Sequence, residues 1–176
     1  MNRFLLVLLV LIAGTACRRS LPEEEVHRLL TERMQTLATA ESCTGGTIAA
    51  RFTALPGASA YFISGVVAYS LDAKRSLLHV CCDSVARYGM VSEPVVRQMA
   101  EGARRAAGTH YAIATTGIAG PTGGTPEQPV GTVWIAVSSP LGTTSRLIHA
   151  RGDRRQIIRE AGTEAIELLV DELRKE

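Results

Sequence analysis

The 176-residue chain is 46% hydrophobic with a formal net charge of +2: enough apolar material for one domain with a real core, and too little basic excess for a dedicated nucleic-acid binder. Aromatic residues make up only 5% and do not interleave with basic ones, which leaves no base-stacking platform. Of the 19 lysines and arginines only Lys74 and Lys175 are lysine; a general preference for arginine accounts for the split, yet it singles out Lys74 as the one lysine inside the domain.

In chain order, residues 1–20 stand apart from a domain over 21–176. Arg3 precedes an apolar run from Phe4 to Ala13, then Gly14-Thr15-Ala16 and Cys17. That is the order of a secretory signal, with an apolar run too short for an ordinary membrane-spanning helix. Cleavage at the small residues, or lipid on Cys17, would export the protein or anchor it to a membrane; Gly14 stands where the lipoprotein pattern usually has a larger aliphatic residue. The alternative is a start codon placed too far upstream, with a cytoplasmic protein beginning near Leu21.

Residues 21–34 predict a helix, because Val26, Leu29, Leu30 and Met34 share one face while Glu23, Glu24 and Glu25 crowd its positive end. A strand over 36–41 follows, then a glycine-containing turn and a helix over 47–54 that stops at Pro56-Gly57. Residues 60–70 are β-rich, and 72–80 predict a short helix. Ser92 predicts the N-cap of a helix to Ala107, with Pro94 in its first turn and Gly108 as its stop. A buried strand over 111–116 leads into the loop GIAGPTGGTPEQP (117–129); strands over 130–138 and 143–150 meet in a hairpin near Pro140 and Gly142. Asp153 caps a closing helix to about Leu173, with Gln156 at the capping-box position. Helices interleaved with strands, plus one hairpin, predict a single three-layer α/β/α domain with a mixed sheet.

Cys43, Cys81 and Cys82 form no disulfide framework, and adjacent cysteines bridge each other only with strain, so buried free thiols are expected. His27, His79, His110 and His149 lack ligand spacing, and no metal site is expected.

The stretch TAESCTGG (39–46) gathers a hydroxyl, a thiol, a carboxylate and a Gly-Gly pair between a strand and a helix. Backbone N–H groups converge on an anion at such a junction, and a nucleophile there sits beside groups that stabilise negative charge. The plainer reading is that Ser42 or Thr44 caps the helix. Four further segments stand behind it: VVAYSLDAK (66–74), GMVSEPVV (89–96), ATTGIAGPTGG (114–124) and QPVGTVW (128–134), followed by GDR (152–154). In this order and spacing they resemble the CinA C-terminal domain family, whose characterised members include nicotinamide-nucleotide amidohydrolases. The resemblance covers roughly Leu21 to the C terminus. It does not extend to the additional N-terminal domain of the larger CinA proteins, so activity associated with that domain is not implied.

The resemblance implies cofactor-independent conversion of nicotinamide mononucleotide to nicotinic acid mononucleotide and ammonia; the alternative is a non-catalytic nucleotide-binding or competence-associated protein. It implies Ser42 as nucleophile, with Cys43 as an intrinsically more reactive rival. Lys74 is the expected general base, since a lysine can surrender its proton usefully where an arginine cannot, and the first turn of a helix disfavours an ammonium. Tyr69 either donates to substrate or packs with its hydroxyl on a carbonyl. Thr116 and Gly117 are expected to offer a hydroxyl and backbone N–H groups. Thr44, Gly45, Gly46, Gly120, Gly123 and Gly124 are expected to admit the nucleotide closely. Arg154 is the expected phosphate partner, with Arg151 as a backup. Glu41 reads as a supporting carboxylate or the partner of an arginine. Leu71 departs from the family's YSN-x-AK pattern, which bears on affinity or specificity. The implied partner is a small-molecule nucleotide, not a nucleic acid; membrane association would come through the N-terminal segment, and a homo-oligomer stays open.

Overall fold

A computed structural model describes residues 20–175; the signal-like segment with Arg3 and Cys17 lies outside them. The elements are α1 (Pro22–Arg33), β1 (Leu37–Glu41), α2 (Thr47–Thr53), a 3-10 turn (Ala58–Ala60), β2 (Phe62–Val67), α3 (Leu71–Leu78), α4 (Cys82–Tyr88), α5 (Glu93–Ala107), β3 (Tyr111–Gly117), β4 (Thr132–Ser139), β5 (Gly142–His149) and α6 (Arg154–Leu173). They build one five-stranded sheet in the order β2-β1-β3-β4-β5. β2, β1 and β3 run parallel, while β4 and β5 are antiparallel to their neighbours. The α/β fold with a mixed sheet is as the sequence predicts.

Side-chain alternation along the strands divides the core into two faces. Leu37, Tyr111, Ile113 and Ile135 join Leu30 of α1, Phe52 of α2 and Ile166 of α6 on one face. Ala38, Ala40, Ala112 and Ala114 meet Leu78 of α3 and Val95, Val96 and Met99 of α5 on the other. Those alanines leave room for α5 against the sheet, and Gly102 of α5 lets α3 approach in turn: a Cβ there would collide with the carbonyl of Leu78. Gly102→Ala is expected to destabilise the protein by about 1–3 kcal/mol, visible as a lowered thermal midpoint. It should also lower activity at temperatures where the protein stays folded, because the displaced helix is the one that carries Lys74.

Several boundaries differ from expectation for local reasons. The β-rich run over 60–70 is a strand only over Phe62–Val67. At its start the amides of Ala60 and Tyr61 still donate back to Gly57 and Ala58. At its end the Ser70 hydroxyl accepts from the Ala73 amide at 3.1 Å and begins α3. Helix α4 has no expected counterpart: none of its residues is buried, so it carries no apolar period to read. For the same reason Cys81 and Cys82 are exposed, and among the described cysteines only Cys43 is buried. Ser92 occupies the N-cap of α5 but its hydroxyl donates to the Gly89 carbonyl instead of accepting from the helix. The capping box of α6 forms as expected, Asp153 and Gln156 each accepting from the other's amide. Among the described residues no helix is long and apolar enough to cross a membrane.

Candidate active site

From β1 the chain crosses to β2 through α2 on one face of the sheet, and from β2 it returns to β3 through α3 and α5 on the other. Connections that leave neighbouring strands in opposite directions open a crevice at the strands' carboxyl ends. A cleft of about 430 Å³ lies there, with Ser42, Lys74, Tyr69, Thr116, Gly117, Gly120, Gly123 and Arg154 in its walls. A second groove of about 520 Å³ between α2 and α6 holds Arg51, Arg155 and Arg159 but neither a serine nor a titratable base.

Ser42 follows β1 directly, and its amide donates to the Thr115 carbonyl of β3 at 3.1 Å. Lys74 reaches it from α3: its Nζ donates to Ser42 Oγ at 2.8 Å and to the Ala68 carbonyl at 2.7 Å. The lysine is only 1% exposed and forms no ion pair among the described residues. Burial favours the neutral amine and pulls its pKa from 10.5 down to about 8, against a weaker opposing effect of Cys43. Roughly a tenth of the molecules then hold a neutral Lys74 at pH 7. In that form the Ala68 carbonyl keeps an N–H, and the lone pair is free to accept the Ser42 proton. Burial pushes the neighbouring Cys43 thiol up to about 11. It stays protonated near neutrality; only 5% exposed, it packs in the core and also borders the cleft beside Ser42.

The start of α2 does not present open N–H groups to a ligand. Glu41, 1% exposed, fills that position: its carboxylate accepts from Gly46 at 3.0 Å, Ile48 at 3.1 Å and Ala49 at 2.9 Å. Backbone amides rather than an arginine hold this charge. Three residues expected to touch substrate therefore serve the turn. Gly46 gives its N–H to Glu41. Gly45 donates to the Ser42 carbonyl with φ at 64°, a conformation that favours glycine. Thr44 is buried, its hydroxyl 2.8 Å from that of Thr115. Neither Ser42 nor Thr44 caps α2 with its side chain.

The opposite wall comes from the loop after β3. Arg154, the first residue of α6, donates to the Gly120 carbonyl at 2.6 Å and to the Tyr69 hydroxyl at 2.8 Å, linking loop, helix and the end of the β2 segment across the cleft. Tyr69 is 58% exposed, so its ring is not a packing element; its hydroxyl faces the guanidinium. Thr116 lines the cleft but donates to the Met90 carbonyl at 2.9 Å, leaving its oxygen only as an acceptor. Gly124 stands outside the walls and packs against Val130, whose nitrogen would lie 2.7 Å from an added Cβ. Arg151 and Leu71 do not line the cleft either. Met90, Val91 and Gln128 do, with Gln128 Nε2 donating to the Val91 carbonyl at 3.0 Å. They lie in the segments GMVSEPVV and QPVGTVW, but nothing in their spacing marks them as walls of one cleft.

These features define a three-layer α/β domain with a serine held against a buried lysine at the carboxyl ends of its parallel strands. The chain belongs to the CinA C-terminal domain family, whose model matches residues 20–173. A CinA-like protein of Anaeromyxobacter dehalogenans strain 2CP-1 is 52% identical over 149 residues, covering 85% of this chain and 36% of that protein. A CinA-like protein of Geobacter metallireducens is 53% identical over 132 residues, 75% of this chain and 32% of its own length. The chain thus spans about a third of the length of these relatives. Among solved structures, the competence damage-inducible protein A of Klebsiella pneumoniae is similar with a TM-score of 0.83 and 38% identity, over 88% of this chain and 98% of that one. A competence-damaged protein (CinA) superfamily protein of Escherichia coli gives 0.82 and 34%, over 85% and 87%.

Proposed function

We propose that this domain is an amidohydrolase that converts nicotinamide mononucleotide to nicotinic acid mononucleotide and ammonia. The observation that carries the reading is the 2.8 Å contact between Ser42 Oγ and a buried Lys74 whose pKa has fallen to about 8. Neutral Lys74 takes the Ser42 proton as Oγ attacks the carboxamide carbon. Collapse of the tetrahedral adduct breaks the C–N bond, and the Lys74 ammonium returns the proton to the departing nitrogen. Ammonia leaves and an acyl ester remains on Ser42. A water deprotonated by Lys74 then attacks the ester, releasing the carboxylate and restoring the hydroxyl. No step calls for a metal or organic cofactor.

Arg154 is the partner for the 5′-phosphate: once substrate arrives, its guanidinium exchanges Gly120 and Tyr69 for phosphate oxygens. The occupied α2 start supports this placement, since Glu41 would repel a phosphate there. Arg154→Ala is expected to raise KM for nicotinamide mononucleotide about 10–100-fold, with a smaller change in kcat, as expected from loss of a charge-assisted contact. Steady-state kinetics checks it, and an unchanged KM would move the phosphate elsewhere.

The decisive test is ammonia release from nicotinamide mononucleotide, with Ser42→Ala run alongside. Release that disappears in the variant supports the reaction and its nucleophile together. Tight nucleotide binding without ammonia would replace this reading with the non-catalytic one.

A further inference from the structure

Glu41 is a buried carboxylate for which the proposed reaction has no chemical use. Its two oxygens are already committed: Oε2 accepts from the amides of Gly46 and Ile48, and Oε1 from that of Ala49. The carboxylate does not face substrate, because it is not among the walls of the cleft. What it does is mechanical. Glu41 ends β1 and Ser42 follows it, so the carboxylate reaches over Ser42, Cys43, Thr44 and Gly45 to grip the first turn of α2. Helix α2 is only seven residues long and has no side-chain cap of its own. Its exposed amides would otherwise be the loosest point of the turn.

The main chain of the same residue acts on the other half of the pair. The Glu41 carbonyl accepts the Ala68 amide at 2.8 Å, and the Ala68 carbonyl in turn holds Lys74 Nζ at 2.7 Å. One residue therefore ties the serine turn to α2 and the lysine's acceptor to β1.

We infer that Glu41 is a positioning residue: its carboxylate closes the 42–46 turn onto the start of α2 and so holds Ser42 Oγ at attacking distance from Lys74. The inference rests on the Ser42–Lys74 reading above. In Glu41→Gln the amide's oxygen can still accept, but its NH2 group meets a backbone N–H, and one of the three bonds becomes a repulsion. Glu41→Asp keeps the charge and shortens the reach by one methylene. Displacing a nucleophile by a fraction of an ångström up to an ångström lowers its rate by as much as 10²-fold.

The test is covalent labelling of the full chain by an alkyl fluorophosphonate, in which Ser42 Oγ forms a bond to phosphorus, fluoride leaves, and Lys74 takes the proton. This probe reads the serine's activation without reference to the natural substrate. Wild-type labelling at Ser42 with no ammonia from nicotinamide mononucleotide would count against the substrate reading and leave the role of Glu41 measurable. Both variants are expected to label about 10–100-fold more slowly at temperatures where circular dichroism shows them folded. With substrate, kcat should fall by the same factor and KM stay within about 2-fold, because the nucleotide's contacts are elsewhere. Unchanged labelling in Glu41→Gln would overturn the inference. So would full rescue by Glu41→Asp, which would mean that charge rather than reach matters, or a change confined to KM.

Discussion

Ser42→Ala is expected to reduce ammonia release from nicotinamide mononucleotide by about 10³-fold or more, as loss of an attacking hydroxyl does in other covalent hydrolases. The substitution should leave the fold unchanged. Ser42 is 8% exposed and anchored by its main chain to Thr115, which alanine preserves, and Lys74 keeps its bond to the Ala68 carbonyl. Nucleotide binding should persist, because Arg154 and the glycine loop are untouched. A variant that still turned over at near-normal rates would end the Ser42 mechanism.

Replacing Lys74 should be equally damaging to turnover and should also report on its charge. Lys74→Met removes the base, and Lys74→Arg retains a cation that does not give up its proton near neutrality; each is expected to lose about 10³-fold in kcat/KM. In the wild type, kcat/KM should rise with pH and level off above about 8, as Lys74 loses its proton. A profile flat from pH 6 to 9 would sink the assignment of Lys74 as the base.

Stability carries the same signature. A lysine whose pKa falls from 10.5 to about 8 on folding is charged in both states below pH 8. Its burial there opposes folding by about 3 kcal/mol at ~1.4 kcal/mol per unit. Between pH 8 and 10.5 the unfolded chain binds more protons than the folded one, so this contribution to stability rises with pH. Cys43 works in the opposite direction above pH 9, because its thiol titrates at 9.0 unfolded and about 11 folded. The comparison is therefore cleanest between pH 7 and 9. Over that range wild-type stability should increase relative to Lys74→Met, measured by chemical denaturation.

The architecture was largely legible in the chain. The apolar run that opens the buried strand at 111–116, the Asp153–Gln156 box and the glycine stops each depend on neighbours a few positions away, and the structure follows them. Helix α4 was not, because a short helix held by polar contacts such as Gln98 to Ser84 has no apolar stripe. In the site, residue types and order pointed to Ser42 and Lys74, but the sequence assigned the anion-binding role to the turn at Gly45 and Gly46. The carboxylate that occupies the turn comes from Glu41 itself, and a glutamate's direction is not written in its neighbours.

By itself, then, the sequence determined the mixed α/β architecture and the family, and it named candidate side chains for a site. Only the tertiary structure decided which of these meet. Ser42 and Lys74 are 32 residues apart, and Tyr69 and Arg154 are 85 apart. Contacts of that span depend on how three parallel strands are ordered and which face each helix covers. The depressed pKa of Lys74 has the same origin: burial is a property of everything packed around an amine, and no local stretch of chain encodes it.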